Sequence, residues 1–317
     1  MKALVIEDGS AQLRERELPD PVLDQVLVEV AAAGINRADL LQIAGLYPAP
    51  PGWPEDVPGL EFSGTVVRVG EEVTRFSPGD RVFGIVGGGG LATHLLTHAD
   101  LCMSVPDTLD PIEAAAVPEA FVTAHDALVT QGNLKSGERV LVHAVASGVG
   151  TAVVQVASAL GATTIGTSRT EEKLSRVAEF GLDEPVLANE NMAETIGEVD
   201  LVIDLVGGDY LQTDIEVCGV TGRVVLVGLL GGASTEIDLA KILRKRLDLR
   251  GTVLRSRPHH EKAEVTERFA RNILPLFERK LLRPVVETTF PLSDFQKGFD
   301  LVQSNKTMGK VLLIPGN

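Results

Sequence analysis

Arg139-Val140-Leu141-Val142-His143-Ala144-Val145-Ala146-Ser147-Gly148-Val149-Gly150 decides the fold of this chain. An apolar run gives way to small residues and then to a helix-forming segment, Thr151 to Leu160. There Ala152, Val153, Val156, Ala157 and Leu160 recur at helical spacing, so one face packs. Buried strand, tight turn and helix in that order open a dinucleotide-binding unit. Small residues let the backbone approach a pyrophosphate, and the helix start offers free N–H groups and a positive dipole end. The turn reads Val145-x-Ser147-x-x-Gly150, with Val and Ser where the fingerprint has its first two glycines. By itself it is equally readable as a structural strand–helix turn.

The segments that follow strengthen the reading. Thr163 to Thr167 is a second strand ending in Ser168-Arg169, and Glu171 to Phe180 reads as a helix. A site for NAD places Asp or Glu about 20 residues after the turn, on the ribose 2′-hydroxyl. Here Ser168, Arg169 and Lys173 stand instead, suited to a 2′-phosphate. The alternative is a solvated helix start beside Glu171 and Glu172. The missing acid favours NADPH over NADH. Val199 to Val206 and Arg223 to Val227 are further strands, running into Gly207-Gly208 and Gly228-Leu229-Leu230-Gly231-Gly232. Small residues at the carboxyl edge of successive parallel-type strands mark where such sheets bind ligands. Leu249 to Leu254 closes the sheet.

Upstream, Met1 to about Ala120 is rich in short strands and turns, including Val26 to Val30, Gly64 to Gly70 and Arg81 to Gly84 after the turn Ser77-Pro78-Gly79-Asp80. Gly87 to Gly90 reads as a flexible loop. Asn36 is placed to cap a short helix, with Asp39 in its first turn. Pro48 to Pro54 reads as a stiff extended loop. Tyr47, at its mouth, is open to two readings, packing or contact with a substrate. Downstream, a helix from about Glu261 to Lys280 is expected, then a strand near Val285 to Thr289. A further helix after Ser293 and a last strand through Lys310 to Leu313 follow, the latter rejoining the N-terminal domain. The expected division is a β-rich catalytic domain at 1–120 and 257–317, with the dinucleotide-binding domain at 121–256 inserted.

Composition narrows the function classes. The 317 residues provide for about two domains. A net charge of −15 argues against nucleic acid or an anionic membrane as partner. The two cysteines, Cys102 and Cys218, are isolated, which argues against a disulfide framework and fits a reducing compartment. No basic-then-apolar leader and no apolar run of spanning length is present, so a cytoplasmic location is expected.

Several stretches together resemble the zinc-independent quinone oxidoreductases of the medium-chain dehydrogenase/reductase superfamily, the zeta-crystallin group. Within it the chain is most similar to the tumour-suppressor-induced branch. These stretches are Asn36-Arg37-Ala38-Asp39-Leu40, Tyr47 with its prolines, Gly59-Leu60-Glu61, Pro118-Glu119-Ala120 and Thr123-Ala124. His143-Ala144 with Ser147-Gly148-Val149-Gly150, Leu254-Arg255-Ser256-Arg257, and Asn305-Lys306 with Gly309-Lys310 complete them. The resemblance implies an α/β chain: a doubly wound parallel Rossmann sheet inserted in a GroES-like domain, NADPH in an interdomain cleft, and a homodimer or higher oligomer. By position, Ser147, Gly148, Val149 and Gly150 would cradle the pyrophosphate, and Ser168, Arg169 and Lys173 the adenosine phosphate. Thr123, Gly228, Leu229 and Leu254 would lie on the nicotinamide side, with Asn36, Tyr47 and Asn305 lining the cleft. Relatives often carry a Tyr after the third strand for the 2′-phosphate; Pro185-Val186-Leu187-Ala188-Asn189 has none.

Zinc-using relatives place a His where Leu60 precedes Glu61. With isolated cysteines, and with His94, His98, His125, His259 and His260 in no ligand pattern, no metal is expected. The nicotinamide then carries the chemistry, by direct hydride transfer to a quinone. Tyr47 is the candidate for orienting the acceptor, and solvent the source of the last proton. Two alternatives stand beside this: a reductase of α,β-unsaturated aldehydes or ketones, and a non-catalytic NADPH-binding protein.

Overall fold

The computed structural model describes residues 1–316; Asn317, the end of the expected closing segment, lies outside the described residues. The chain divides into two compact units, Met1–Val122 together with the segment from Leu254 on, and Thr123–Val253.

The first unit opens with β1 (Lys2–Glu7) and β2 (Ser10–Glu15), an antiparallel hairpin. It continues with β3 (Gln25–Ile35), β4 (Glu61–Val69), β5 (Arg81–Ile85), β6 (His94–His98) and β7 (Cys102–Ser104). The second unit holds β8 (Arg139–Val142), β9 (Thr163–Ser168), β10 (Glu184–Leu187), β11 (Val199–Asp204), β12 (Cys218–Leu226) and β13 (Asp248–Gly251). The chain then returns to the first unit with β14 (Val286–Pro291) and β15 (Lys310–Ile314).

In the second unit six parallel strands run in the order β10-β9-β8-β11-β12-β13. Counted from β8 this is 3-2-1-4-5-6, with the switch point between β8 and β11 where such sheets take a dinucleotide. Leu141, Ile165, Val202 and Val224 fill its core. The first unit is a curled, mainly antiparallel sheet, β14-β15-β3-β4-β5-β7, with β6 also paired to β3. Phe62, Leu4, Val26, Val28, Leu91 and Leu313 are in its core. β15 pairs antiparallel with β3, so strands distant in sequence close one sheet.

Three local expectations are corrected. Gly87 to Gly90 are buried, not a flexible loop; a Cβ on Gly87 would stand 2.5 Å from the Trp53 ring. These glycines serve close packing, which sequence cannot tell from mobility. The expected Glu261–Lys280 helix is two, His259–Asn272 and Leu274–Glu278. Pro275, lacking an N–H, cannot continue the first and begins the second. Ser293 makes no capping bond; a single turn, Leu292–Asp294, precedes the Phe295–Gln303 helix.

Candidate active site

In the second unit, β8 ends in a turn that feeds the Gly148–Ala159 helix. Ser147 is the N-cap: its Oγ accepts from the Gly150 N–H at 3.0 Å. Gly150 is obligatory on contact grounds, since a Cβ there would meet the carbonyl oxygens of Ala144 and Val145 at 2.6 Å. The N–H groups of Gly148 and Val149 have no partner among the described residues, leaving orphan donors at the positive end of a helix dipole. The same turn leans on the end of β9, where Val145 N–H donates to Thr167 O at 3.0 Å. Ser168 is buried and Arg169 exposed just beyond it, with Lys173 one turn into the next helix. Arg169 is also close enough to Tyr210 for its charge to favour the phenolate, against a burial that raises the Tyr210 pKa. The small residues after β12 sit at the same carboxyl edge: Gly228 N–H donates to Asp204 O, while Leu229 is 60% exposed. Thr123 is buried, with its hydroxyl unbonded.

Beneath this edge lies a buried polar group whose members are far apart in the sequence. His143 is sealed from solvent, 2.8 Å from both Thr167 Oγ1 and Asp214 Oδ1. Burial pushes its pKa down to about 4, so the ring is neutral. Burial raises Asp204 to about 6, helped by the Asp214 charge, and lifts Asp214 well above the ordinary value. Asp204 Oδ1 accepts from the N–H groups of Val206 and Gly207 and so fixes the turn after β11. A charged residue closing an apolar strand, and another inside a helix, were the available signals.

In the first unit, Asn36, Glu61 and Lys310 form one buried network. Lys310 Nζ is 2.5 Å from Glu61 Oε1 and from Asn36 Oδ1, and donates to Ile35 O. The Asn36 amide donates to Glu61 Oε1 at 3.0 Å and to Gly34 O at 3.2 Å. Both of its donors are spent within the chain, so it holds the network together rather than offering a donor to a substrate. Asp39 is fully buried, accepting from Asn36 N–H and Gly59 N–H, and burial raises it to about 6. Glu61 Oε2 accepts from the Glu119 N–H. Burial, then the charge of Glu61, pushes Glu119 up to about 7.

Tyr47 belongs to this unit. The Arg255 guanidinium lies over its ring, 4.9 Å from the centroid, and donates to Tyr47 O, Gly87 O and Gln42 Oε1. The Tyr47 hydroxyl has no partner among the described residues, and burial raises its pKa, so it remains a donor. Leu254 is buried in the same unit. Asn305 is exposed, has a left-handed backbone (φ 57°), and accepts from Arg37.

A catalytic zinc does not fit the Asn36 network. Its carboxylates are already held, Glu61 by the Lys310 ammonium and Asp39 by backbone N–H groups. Burial pushes both cysteine thiols up to about 12, and Cys102 donates to His98 O rather than reaching the network. Lone carboxylates paired with an ammonium are no zinc ligand set.

A GroES-like β unit interrupted by a 3-2-1-4-5-6 Rossmann sheet defines the two-part α/β dehydrogenases and reductases. Residues 23–107 match the alcohol dehydrogenase GroES-like domain family and residues 148–271 the zinc-binding dehydrogenase family. The chain is 32% identical over 306 residues to the quinone oxidoreductase of Lama guanicoe, covering 94% of this chain and 91% of that protein. It superimposes with a TM-score of 0.89 on an alcohol dehydrogenase superfamily protein from Novosphingobium aromaticivorans, at 30% identity over the whole of both chains. Escherichia coli quinone oxidoreductase in complex with NADPH gives 0.88 at 27% identity, covering 99% of this chain and 100% of that one. The chain belongs to the medium-chain dehydrogenase/reductase superfamily, among its quinone oxidoreductase-like members. Among the described residues no helix is long and apolar enough to cross a membrane.

Proposed function

We propose that this protein is a zinc-independent NADPH:quinone oxidoreductase, nearest the tumour-suppressor-induced branch, acting on small-molecule quinones in the cytoplasm as a homodimer or higher oligomer. The observation that carries the reading is the pair of orphan N–H groups at Gly148 and Val149, beside a β9 end that bears Ser168 and Arg169 and no acid. Those donors suit a pyrophosphate, and Ser168, Arg169 and Lys173 a 2′-phosphate. Bound NADPH supplies the hydride. Thr123, Gly228, Leu229 and Leu254 are assigned to the nicotinamide side, with Asn305 as a further cofactor residue. Tyr47, its ring fixed by Arg255, donates its free hydroxyl to the acceptor oxygen as negative charge develops there. Asn36 supports this surface through Glu61 and Lys310.

Oxidation of NADPH and of NADH, followed at the nicotinamide absorbance with 1,2-naphthoquinone, tests the reading. Turnover with NADPH preferred is the expected result. Equal use of both cofactors removes the 2′-phosphate assignment. Turnover of an alkenal but not the quinone moves the substrate to α,β-unsaturated carbonyls. Tight NADPH binding with no turnover of either leaves a non-catalytic binder.

A further inference from the structure

His98 and His259, isolated in sequence, meet in the first unit with two carboxylates. His98 ends β6, Asp24 immediately precedes β3, His259 begins the His259–Asn272 helix, and Asp100 lies in the turn Ala99–Leu101. The two imidazoles are in edge contact, 4.5 Å between centroids. His98 Nδ1 lies 2.9 Å from Asp24 Oδ2, and His259 Nε2 lies 2.8 Å from Asp100 Oδ2. One ligand atom from each of Asp24, His98 and His259 falls within 4.8 Å of the others.

We propose that Asp24, His98 and His259 bind a divalent first-row transition ion, zinc foremost, with Asp100 orienting His259. Two imidazoles and a carboxylate are a borderline-soft donor set of the kind zinc and its neighbours take. Tetrahedral coordination with metal–ligand bonds of about 2.0–2.1 Å sets ligand atoms roughly 3.3 Å apart. Displacing the proton between His98 Nδ1 and Asp24 Oδ2 leaves two ligands already near that spacing. The widest separation closes by rotation of side chains that are all partly exposed. Asp100 accepts the Nε2–H of His259, which leaves the Nδ1 lone pair for the metal, the usual carboxylate–histidine–metal relay.

One further observation points to a cation: Asp100 Oδ1 is buried without a hydrogen-bond partner. The four residues come from three segments far apart in the chain, at Asp24, His98–Asp100 and His259. A bound ion would therefore tie the start of the last long helix to the edge of the β sheet, and its binding energy would add to stability. None of them belongs to the Asn36, Tyr47 or Gly148 groups, so this site stands whether or not the reductase reading does.

The test uses full-length, tag-free protein stripped with chelator. Zn²⁺ binding is measured by equilibrium dialysis with metal analysis, and Co²⁺ binding by its visible ligand-field bands. Expected are one ion per chain and a raised thermal midpoint. His98→Gln and His259→Gln each weaken binding more than tenfold and Asp100→Asn roughly tenfold, the size of an outer-sphere loss. His260→Gln leaves binding unchanged, and NADPH turnover is insensitive to all four. No stoichiometric ion in the wild type, or equal binding in a His98→Gln/His259→Gln double variant, overturns the proposal.

Discussion

Lys310 Nζ stands 2.5 Å from Glu61 Oε1, and both side chains are buried within the first unit. The ammonium comes from the last strand and the carboxylate from the fourth, so the pair joins the chain's distant ends across one sheet. It also orders Asn36, which bonds to both.

Lys310→Met should destabilise the protein by about 3–5 kcal/mol, because Glu61 is left buried and unpaired. Adding Glu61→Gln removes that stranded charge, so the double variant recovers most of the loss. Urea denaturation of the wild type, the single and the double variant measures this; a double variant as unstable as the single contradicts it.

Glu119 gives a pH signature. It takes its proton at about 7 in the folded chain against an ordinary 4.5, under the influence of burial, Glu61, Lys310, Asp39 and Arg255. Between those values the native state binds more protons than the unfolded one, so its share of stability is present at low pH and is lost as pH rises to about 7. Glu119→Gln removes that slope. The thermal midpoint of the variant relative to wild type should therefore be higher at pH 8 than at pH 5.

Arg169→Asp restores the acid that an NAD site carries at the end of its second strand. Loss of a charge-assisted contact of about 1.5–3 kcal/mol should lower kcat/KM for NADPH by roughly ten- to a hundredfold. NADH kinetics should be unchanged or improved. Parallel loss with both cofactors would point to a folding defect instead.

Tyr47→Phe should lower quinone kcat/KM by roughly tenfold at saturating NADPH, the worth of one hydrogen bond to developing charge. Arg255→Lys should move it the same way, since an ammonium cannot bond Gly87, Tyr47 and Gln42 together. Unchanged turnover in Tyr47→Phe removes the hydroxyl from the mechanism.

Gly150→Ala drives a methyl to 2.6 Å from two backbone carbonyls. Overpacking of this kind costs about 1–3 kcal/mol, and the displaced helix start should weaken NADPH binding. Calorimetric titration and a thermal melt report the two effects separately.

The α/β class, the strand–turn–helix at Arg139–Gly150 and the basic end of the second Rossmann strand were legible in the sequence. Each rests on neighbours a few residues apart, where periodicity, helix capping and turn chemistry act. The Gly148–Ala159 helix starts three residues ahead of its apolar period because glycine carries no periodic signal, and Pro275 divides a segment whose apolar spacing is continuous. Tertiary structure alone decided the rest. Asn36, Glu61, Glu119 and Lys310 converge only when β15 pairs with β3 and β3 with β4. The same folding brings Arg255 over Tyr47 and sets His98 against His259. Burial and electrostatic coupling depend on distance through space, and a linear pattern does not encode which charges that distance will join.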